Sequence, residues 1–295
     1  MLEQETQAWS IRELMKSTID HLQRHGFGEA RLTVELLLSH ALHCHRIELY
    51  THFDKPLSSQ ELGTFRELYK RRLAHEPVQY IVGATNFMGL QFAVDKRVFI
   101  PRPETETLVE QVMLKCNQRG EGEETSILDV GTGSGNIAVS LAKLVKKTRI
   151  VGIDRSAEAL VVARMNAHTH GVTDSVAFEN ANFLEPLESR FSGQFDFLVS
   201  NPPYVSIQDW QDLDPEVCQF EPKHAVSDQN DGYEFYHRIG KVARQLLRKE
   251  GWVIVEVGYG QSEQVSEIFR EATVTEINVV NDLQEIPRVV LGRCS

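Results

Sequence analysis

Ile127-Leu128-Asp129-Val130-Gly131-Thr132-Gly133-Ser134-Gly135-Asn136 is the stretch whose reading decides the fold. Ser126–Val130 is short, apolar and β-branched, as a buried strand is, and Ile137–Lys147 follows with helical spacing. Between them, three glycines at alternate positions let the backbone turn sharply and come close to a ligand. The free N–H groups of the helix start then favour negative charge. Asp154, 19 residues beyond Gly135, ends the next strand, where a carboxylate can accept both hydroxyls of a ribose. A bare glycine turn is the plainer alternative, and for Asp154 alone the plainer alternative is an exposed strand-end carboxylate.

Outward from this unit the pattern repeats. Arg149–Asp154, Val176–Glu179, Asp196–Ser200 and Trp252–Val257 read as strands, and Ala157–His170, Tyr233–Arg248 and Ser262–Arg270 as helices. Alternation of this kind predicts an open α/β sheet. Val274–Val280 and Arg288–Arg293 come last with no room for a helix between them, so they are expected to pair antiparallel at the sheet edge. The glycine spacing is GxGxG. A dinucleotide fingerprint would need GxGxxG, and Asn136 stands where its third glycine would be. A P-loop would need Gly-Lys-Ser/Thr, which is absent. A nucleoside cofactor without a pyrophosphate fits better, and S-adenosylmethionine is the obvious one.

Asp196-Phe197-Leu198-Val199-Ser200-Asn201-Pro202-Pro203-Tyr204 ends the fourth strand. In open α/β sheets, ligands sit beyond the carboxyl ends of strands at the switch point. Two prolines fix the chain and remove two donors. What remains is the Asn201 side-chain oxygen, the Pro202 carbonyl and the flat face of Tyr204. Two acceptors and a ring suit a planar NH₂ group. Such a nitrogen is a poor nucleophile because its lone pair is delocalised. Aligning it with an activated methyl, and stabilising the positive charge it gains, substitutes for deprotonation without a metal. A rigid proline turn is the bland alternative.

The first 82 residues differ in character. Ile11, Leu14, Met15, Thr18 and Leu22 share one helical face, and Leu32, Leu36, Leu37 and Leu42 give a second. Gly26 and Gly28 break the chain between them. Pro56-Leu57-Ser58-Ser59 reads as a stop and a new N-cap before Glu61–Ala74. A small helical bundle is expected. Glu76-Pro77-Val78-Gln79-Tyr80-Ile81-Val82-Gly83 then leads into Asn86–Ile100, which reads as a hairpin linking two domains, closed by Pro101 and Pro103. The expected organisation is a helical domain over 1–82, a hairpin linker over 83–105 and an α/β domain over 106–295.

Of 295 residues, 41% are hydrophobic and 25% charged, both ordinary for a soluble globular chain, and the net charge is −11. That charge argues against affinity built on duplex phosphates. No apolar run reaches the ~18–20 residues of a membrane span. MLEQETQAWS lacks the basic flank and apolar core of a signal peptide. Cys44, Cys116, Cys218 and Cys294 show no CxxC spacing, so no metal site is expected, and free thiols fit a cytoplasmic protein. The seven histidines before residue 83 show no metal spacing either.

GTGSG and NPPY together resemble the amino-group methyltransferases that use S-adenosylmethionine. Four further stretches narrow the likeness: Glu76–Gly83; Ile100-Pro101-Arg102-Pro103-Glu104-Thr105-Glu106; Phe220-Glu221-Pro222; and Ile286-Pro287-Arg288-Val289-Val290-Leu291-Gly292-Arg293. With them the chain resembles the bacterial peptide chain release factor N5-glutamine methyltransferases over almost its whole length. The resemblance implies an open seven-stranded Rossmann-like class I methyltransferase sheet with a small N-terminal helical bundle and a hairpin linker. It makes 1–82 the substrate-recognition domain, 83–105 the linker and 106–295 the methyltransferase domain. It implies the glutamine of the release-factor Gly-Gly-Gln motif as substrate, and a role in translation termination. By position, Gly131, Thr132, Gly133, Ser134, Gly135, Asp154, Phe183 and Asn201 would bind the cofactor. Asn201, Pro202, Pro203 and Tyr204 would hold the amide, with Asn201, Pro202 and Tyr204 catalytic. Asn182 stands where the family carries an acid near the adenine. Asp129 orients the loop, helps hold the methionine amino group, or serves as a buried cap. Phe99, Arg102 and Glu104 edge the pocket or form a connector, and Glu221 meets a partner's backbone or is a loop charge. Release factors are the expected partners, with no membrane and no direct nucleic-acid substrate. Two other readings stand beside this one: a nucleic-acid amino methyltransferase taking a flipped or single-stranded base, and a cofactor-binding regulator without turnover, against which the intact Asn201 and Tyr204 count.

Overall fold

A computed structural model describes residues 9–119 and 123–294. The N-terminal stretch without a secretory pattern falls mostly in residues 1–8, outside the described residues. The chain divides into two compact units, Met1–Gly83 and Ala84–Ser295.

The first unit is helical: α1 (Ile11–Arg24), α2 (Ala30–Leu42), α3 (Arg46–Thr51), α4 (Ser59–Leu73) and α5 (Val78–Val82). Ser10 and Ser58 start α1 and α4 by the same device. Each hydroxyl accepts the N–H of a glutamate three residues on (Glu13, Glu61), whose carboxylate accepts the serine N–H in return. α1 buries Ile11, Met15, Thr18 and Leu22. α2 is packed by α1, α3, α4 and α5. Enclosed so, it buries Thr33, Val34, Leu37, Leu38 and Ala41, while Leu32, Leu36 and Leu42 are only half-buried. The apolar face expected from the leucines alone is therefore rotated toward the middle of the bundle. Val78–Val82, read in the sequence only as a lead-in, is a helical turn ended by Gly83 at φ 77°.

The second unit opens with a hairpin, β1 (Ala84–Phe87) and β2 (Leu90–Ala93), turning at Met88-Gly89 with both residues at positive φ. It stops at Ala93 rather than running on toward Ile100. Asp95 ends it by accepting the Arg97 N–H, and its carbonyl accepts the Val98 N–H. The chain then continues through α6 (Glu106–Asn117), β3 (Thr125–Val130), α7 (Asn136–Leu144), β4 (Thr148–Asp154), α8 (Ala157–Thr169), β5 (Val176–Asn180), α9 (Glu188–Phe191) and β6 (Phe195–Ser200). After β6 come the short helices α10 (Pro215–Phe220) and α11 (Lys223–Val226), then α12 (Glu234–Leu246), β7 (Leu247–Glu256), α13 (Ser262–Glu271), β8 (Val274–Asn281) and β9 (Pro287–Cys294).

Seven strands form one sheet in the order β5-β4-β3-β6-β7-β9-β8. β5 to β7 are parallel neighbours, and β9 runs antiparallel to both β7 and β8. β8 and β9 do pair antiparallel, but the last strand slots inside and leaves β8 at the edge. Their residues explain the order: Val289, Val290, Leu291 and Gly292 are a buried run, whereas β8 is largely exposed. Alternate residues of each central strand feed opposite faces. Leu128, Val130 and Leu198 pack with Tyr236, Ile239 and Phe269. Ile127, Phe197 and Val199 pack with Leu108, Val112, Ile137 and Leu141. Among the described residues no helix is long and apolar enough to cross a membrane.

Candidate active site

β3 leads on to β4 on one side and has β6 on the other, so the order reverses between β3 and β6, where an open α/β sheet opens a crevice. Val130 pairs with Ser200 in register, and the Ser200 hydroxyl donates to the Val130 carbonyl at 2.8 Å. The residues that follow, Gly131 and Asn201, therefore leave the sheet side by side. Both motifs open onto one cleft of about 260 Å³ within the second unit.

The loop after β3 is held by its own neighbours. The Gly131 and Thr132 N–H groups donate to the Ile153 carbonyl, and the Gly133 N–H donates to Asp154 Oδ2 at 2.9 Å. Asp154 Oδ1 accepts the Ser156 N–H at 2.8 Å, and burial raises its carboxyl above the usual range. Asn166 of α8 donates to Ser134 O and brackets Ala93 of the hairpin with both ends of its amide. A Cβ on Gly131 would meet nothing within 4 Å, and one on Gly133 only the Gly131 carbonyl at 3.9 Å, so both face open cleft. Gly135 differs. Its Cα abuts Ala163 and Phe178, at 3.2 Å from an added Cβ, and it is absent from the cleft wall. It opens α7 at φ 79° and lets that helix close onto α8.

Gly131 to Ser134, Asp154, Phe183 and Asn201 to Tyr204 all line the cleft. Asp129 does not. It is fully buried and accepts the Thr132 hydroxyl at 2.6 Å through Oδ2. Burial pushes its carboxyl up to about 7, opposed by the Thr132 hydroxyl and the Ala138 N–H. Its place in the fold is under the loop, holding Thr132. Phe183 is buried at the cleft edge, and Asn182 folds into a local turn, accepting the Leu184 N–H and donating to Glu185.

At the other motif, Pro202 and Pro203 are buried and Asn201 and Tyr204 half-buried. Asn201 Nδ2 donates to Thr105 Oγ1 at 3.1 Å, and among the described residues no hydrogen bond reaches its Oδ1. Among the described residues no backbone N–H engages the Pro202 carbonyl. Tyr204 fits because two glycines make room: a Cβ on Gly258 would sit 2.9 Å from its ring, and one on Gly232 would sit 2.5 Å from its carbonyl. Phe99 and Arg102 line the wall, the guanidinium 4.7 Å from the ring centre. Glu221 is an internal clamp: 5% exposed, it accepts the Ile100 N–H at 3.1 Å and pairs with Arg102. Sequence reading missed Thr105, His224 and Gly258 as parts of this site. His224 lines the cleft on the Asp154 side, and burial lowers its pKa.

A model described as the PrmC N-terminal domain matches residues 13–83, and a methyltransferase domain model matches residues 121–286. The release factor glutamine methyltransferase of Geobacter sulfurreducens is 41% identical over 97% of this chain and 97% of its own. That of Chlorobaculum tepidum is 40% identical over 96% and 97%. The chain belongs to the release factor glutamine methyltransferase family. Among solved structures, the hMettl16 catalytic domain, in complex with a MAT2A 3'UTR hairpin, superposes with a TM-score of 0.55 at 15% identity, over 69% of this chain and 75% of that one. That likeness is one of fold, the class I methyltransferase fold with its mostly parallel seven-stranded sheet. The family is one of methyltransferases, and this chain is an enzyme of that class.

Proposed function

We propose that this enzyme transfers a methyl group from S-adenosylmethionine to the side-chain amide nitrogen of the glutamine in the Gly-Gly-Gln motif of peptide chain release factors, in the cytoplasm. The observation that carries the reading is the arrangement at the corner after β6. Asn201, Pro202 and Tyr204 line the same cleft as the open glycine loop, and the bond from Asn201 Nδ2 to Thr105 leaves the Asn201 oxygen as an acceptor.

The residues present fit the cofactor. Gly131 and Gly133 leave a cradle that any side chain would fill, Asp154 offers a carboxylate to ribose hydroxyls, and Phe183 offers a face to adenine. When bound, the sulfonium supplies an activated methyl and a neutral leaving group. The chain's own contribution is positioning and electrostatics. The glutamine N–H groups donate to Asn201 Oδ1 and Pro202 O, which turns the face of the nitrogen toward the methyl and favours the positive charge that grows on it. Tyr204 covers the amide plane, and the buried prolines keep water from the two acceptors. With the cofactor bound, the C–N bond would form as the sulfur–methyl bond breaks, and the nitrogen would then lose one N–H proton to solvent. The helical first unit is the part we assign to gripping the factor outside its glutamine loop.

The test is direct. Incubate the enzyme with methyl-labelled cofactor and, separately, release factor, DNA and RNA, then map the label. Label on the Gly-Gly-Gln glutamine is expected. Label on nucleic acid alone would reject the reading.

A further inference from the structure

Behind the corner lies a buried chain of hydrogen bonds that the reaction as described does not use. Asn201 Nδ2 donates to Thr105 Oγ1 at 3.1 Å, and Thr105 Oγ1 donates to Glu256 Oε2 at 2.6 Å. Thr105 and Glu256 are each 1% exposed. They lie 151 residues apart in sequence, one opening the turn into α6 and the other closing β7. Tyr204 reaches the other carboxylate oxygen, its hydroxyl 3.5 Å from Glu256 Oε1. The Tyr236 hydroxyl holds the Glu256 carbonyl at 2.9 Å. From β9, Arg288 favours the charged carboxylate, and Glu104, beside Thr105, opposes it.

A threonine hydroxyl has a single hydrogen. While Glu256 is ionised it can only accept, so Thr105 must give that hydrogen to it. Thr105 Oγ1 is then left with lone pairs alone toward Asn201 and must be met by an N–H. The NH₂ end of Asn201 is turned inward, and its oxygen faces the cleft. Asparagine by itself has no such preference, since its two ends are nearly the same shape. A flipped Asn201 would present a donor to a donor and repel the acceptor amide.

We propose that Thr105 and Glu256 are positioning residues for methyl transfer: their hydrogen-bond relay sets which end of the Asn201 amide faces the substrate nitrogen. The inference rests on the reading of Asn201 as the acceptor of an amino group. Burial raises the Glu256 carboxyl to about 7, so the relay is charged above that pH and neutral below it. A neutral Glu256 can donate to Thr105, which frees the threonine hydrogen to point at Asn201 and relaxes the flip. Turnover should therefore fall with a single ionisation as pH drops through about 7. Asp129 is also raised to about 7, so the assignment is made by removing Glu256.

The experiment compares wild type with Thr105→Val, Thr105→Ser and Glu256→Gln in the full chain. Thr105→Val is expected to lose about 10- to 100-fold in kcat, the scale of a misdirected transition-state hydrogen bond, while KM for the acceptor and calorimetric affinity for S-adenosylmethionine stay within about threefold. Thr105→Ser keeps the hydroxyl and should recover most of the loss. Glu256→Gln should remove the acid limb of the kcat profile. Independently of turnover, the side-chain ¹⁵N–¹H signals of Asn201 should shift with a midpoint near 7 in wild type and stay flat in Glu256→Gln. The relay is refuted if Thr105→Val turns over like wild type, if Thr105→Ser is no better than Thr105→Val, or if the Asn201 signals do not titrate. If wild type labels nucleic acid and not release factor, the substrate reading falls, and the relay is scored on that amino group and on the Asn201 signals.

Discussion

Asn201 and Gly133 line one cleft, and the proposed reaction gives them separate tasks. Asn201→Ala removes one of the two acceptors proposed to hold the reacting nitrogen. It should lower kcat about 100-fold and leave the calorimetric affinity for S-adenosylmethionine nearly intact, since the cradle is untouched. Gly133→Val puts a branched Cβ into open cleft at φ 54°, and should abolish cofactor binding in the same titration. Equal loss of both properties in Asn201→Ala would show that its role is structural. Both residues stood out in the sequence, because a glycine-spaced turn and an Asn-Pro-Pro-Tyr corner are local patterns, and the structure brings both to one cleft. Glu221 did not. Its partners, Ile100 and Arg102, lie about 120 residues away, and only the folded chain shows a clamp where a loop charge was an equal reading. Thr105 escaped for the same reason, since a threonine between two glutamates carries no sign that its hydroxyl lies beneath Asn201.

At the level of elements, the strands and long helices followed their apolar spacing closely, and the departures have local causes. β7 begins at Leu247, earlier than the Trp252 expected, because Leu247 already pairs with Phe195 across a register shift. α10 and α11 are too short to show a period, and α10 starts at a proline. The rotated face of α2 reflects a helix wrapped on several sides, for which a stripe of leucines is a poor guide. Caps, in contrast, are fully local. Ser58 was readable as a helix start, and Ser58→Ala removes the hydroxyl that meets the Glu61 N–H at 3.2 Å. The expected cost is about 1 kcal/mol, read as a lower urea midpoint for the first unit. The activity of the chemical step at saturating acceptor should be unchanged.

For the molecule as a whole, acidity is a stability variable. Asp129 titrates near 3.8 in an unfolded chain and at about 7 in the folded one, because burial penalises its charge. A raised acid favours folding most while protonated. Its contribution is complete below 3.8, declines as pH rises between the two values, and is gone above about 7. Asp129→Asn keeps an oxygen for the Thr132 hydroxyl and carries no charge. Its melting temperature relative to wild type should climb from pH 4 to pH 7 and level off beyond. A constant difference across that range would mean that Asp129 stays ionised in its pocket. The second consequence of the architecture lies in the bond from Ser200 to Val130. It joins the ends of β3 and β6, from which depart the two loops proposed to receive donor and acceptor. If a molecule bound at one loop tightens that joint, thermodynamic reciprocity makes the gain in affinity mutual. Each ligand should grip harder with its companion in place, and a Ser200→Ala enzyme should greet the two as strangers.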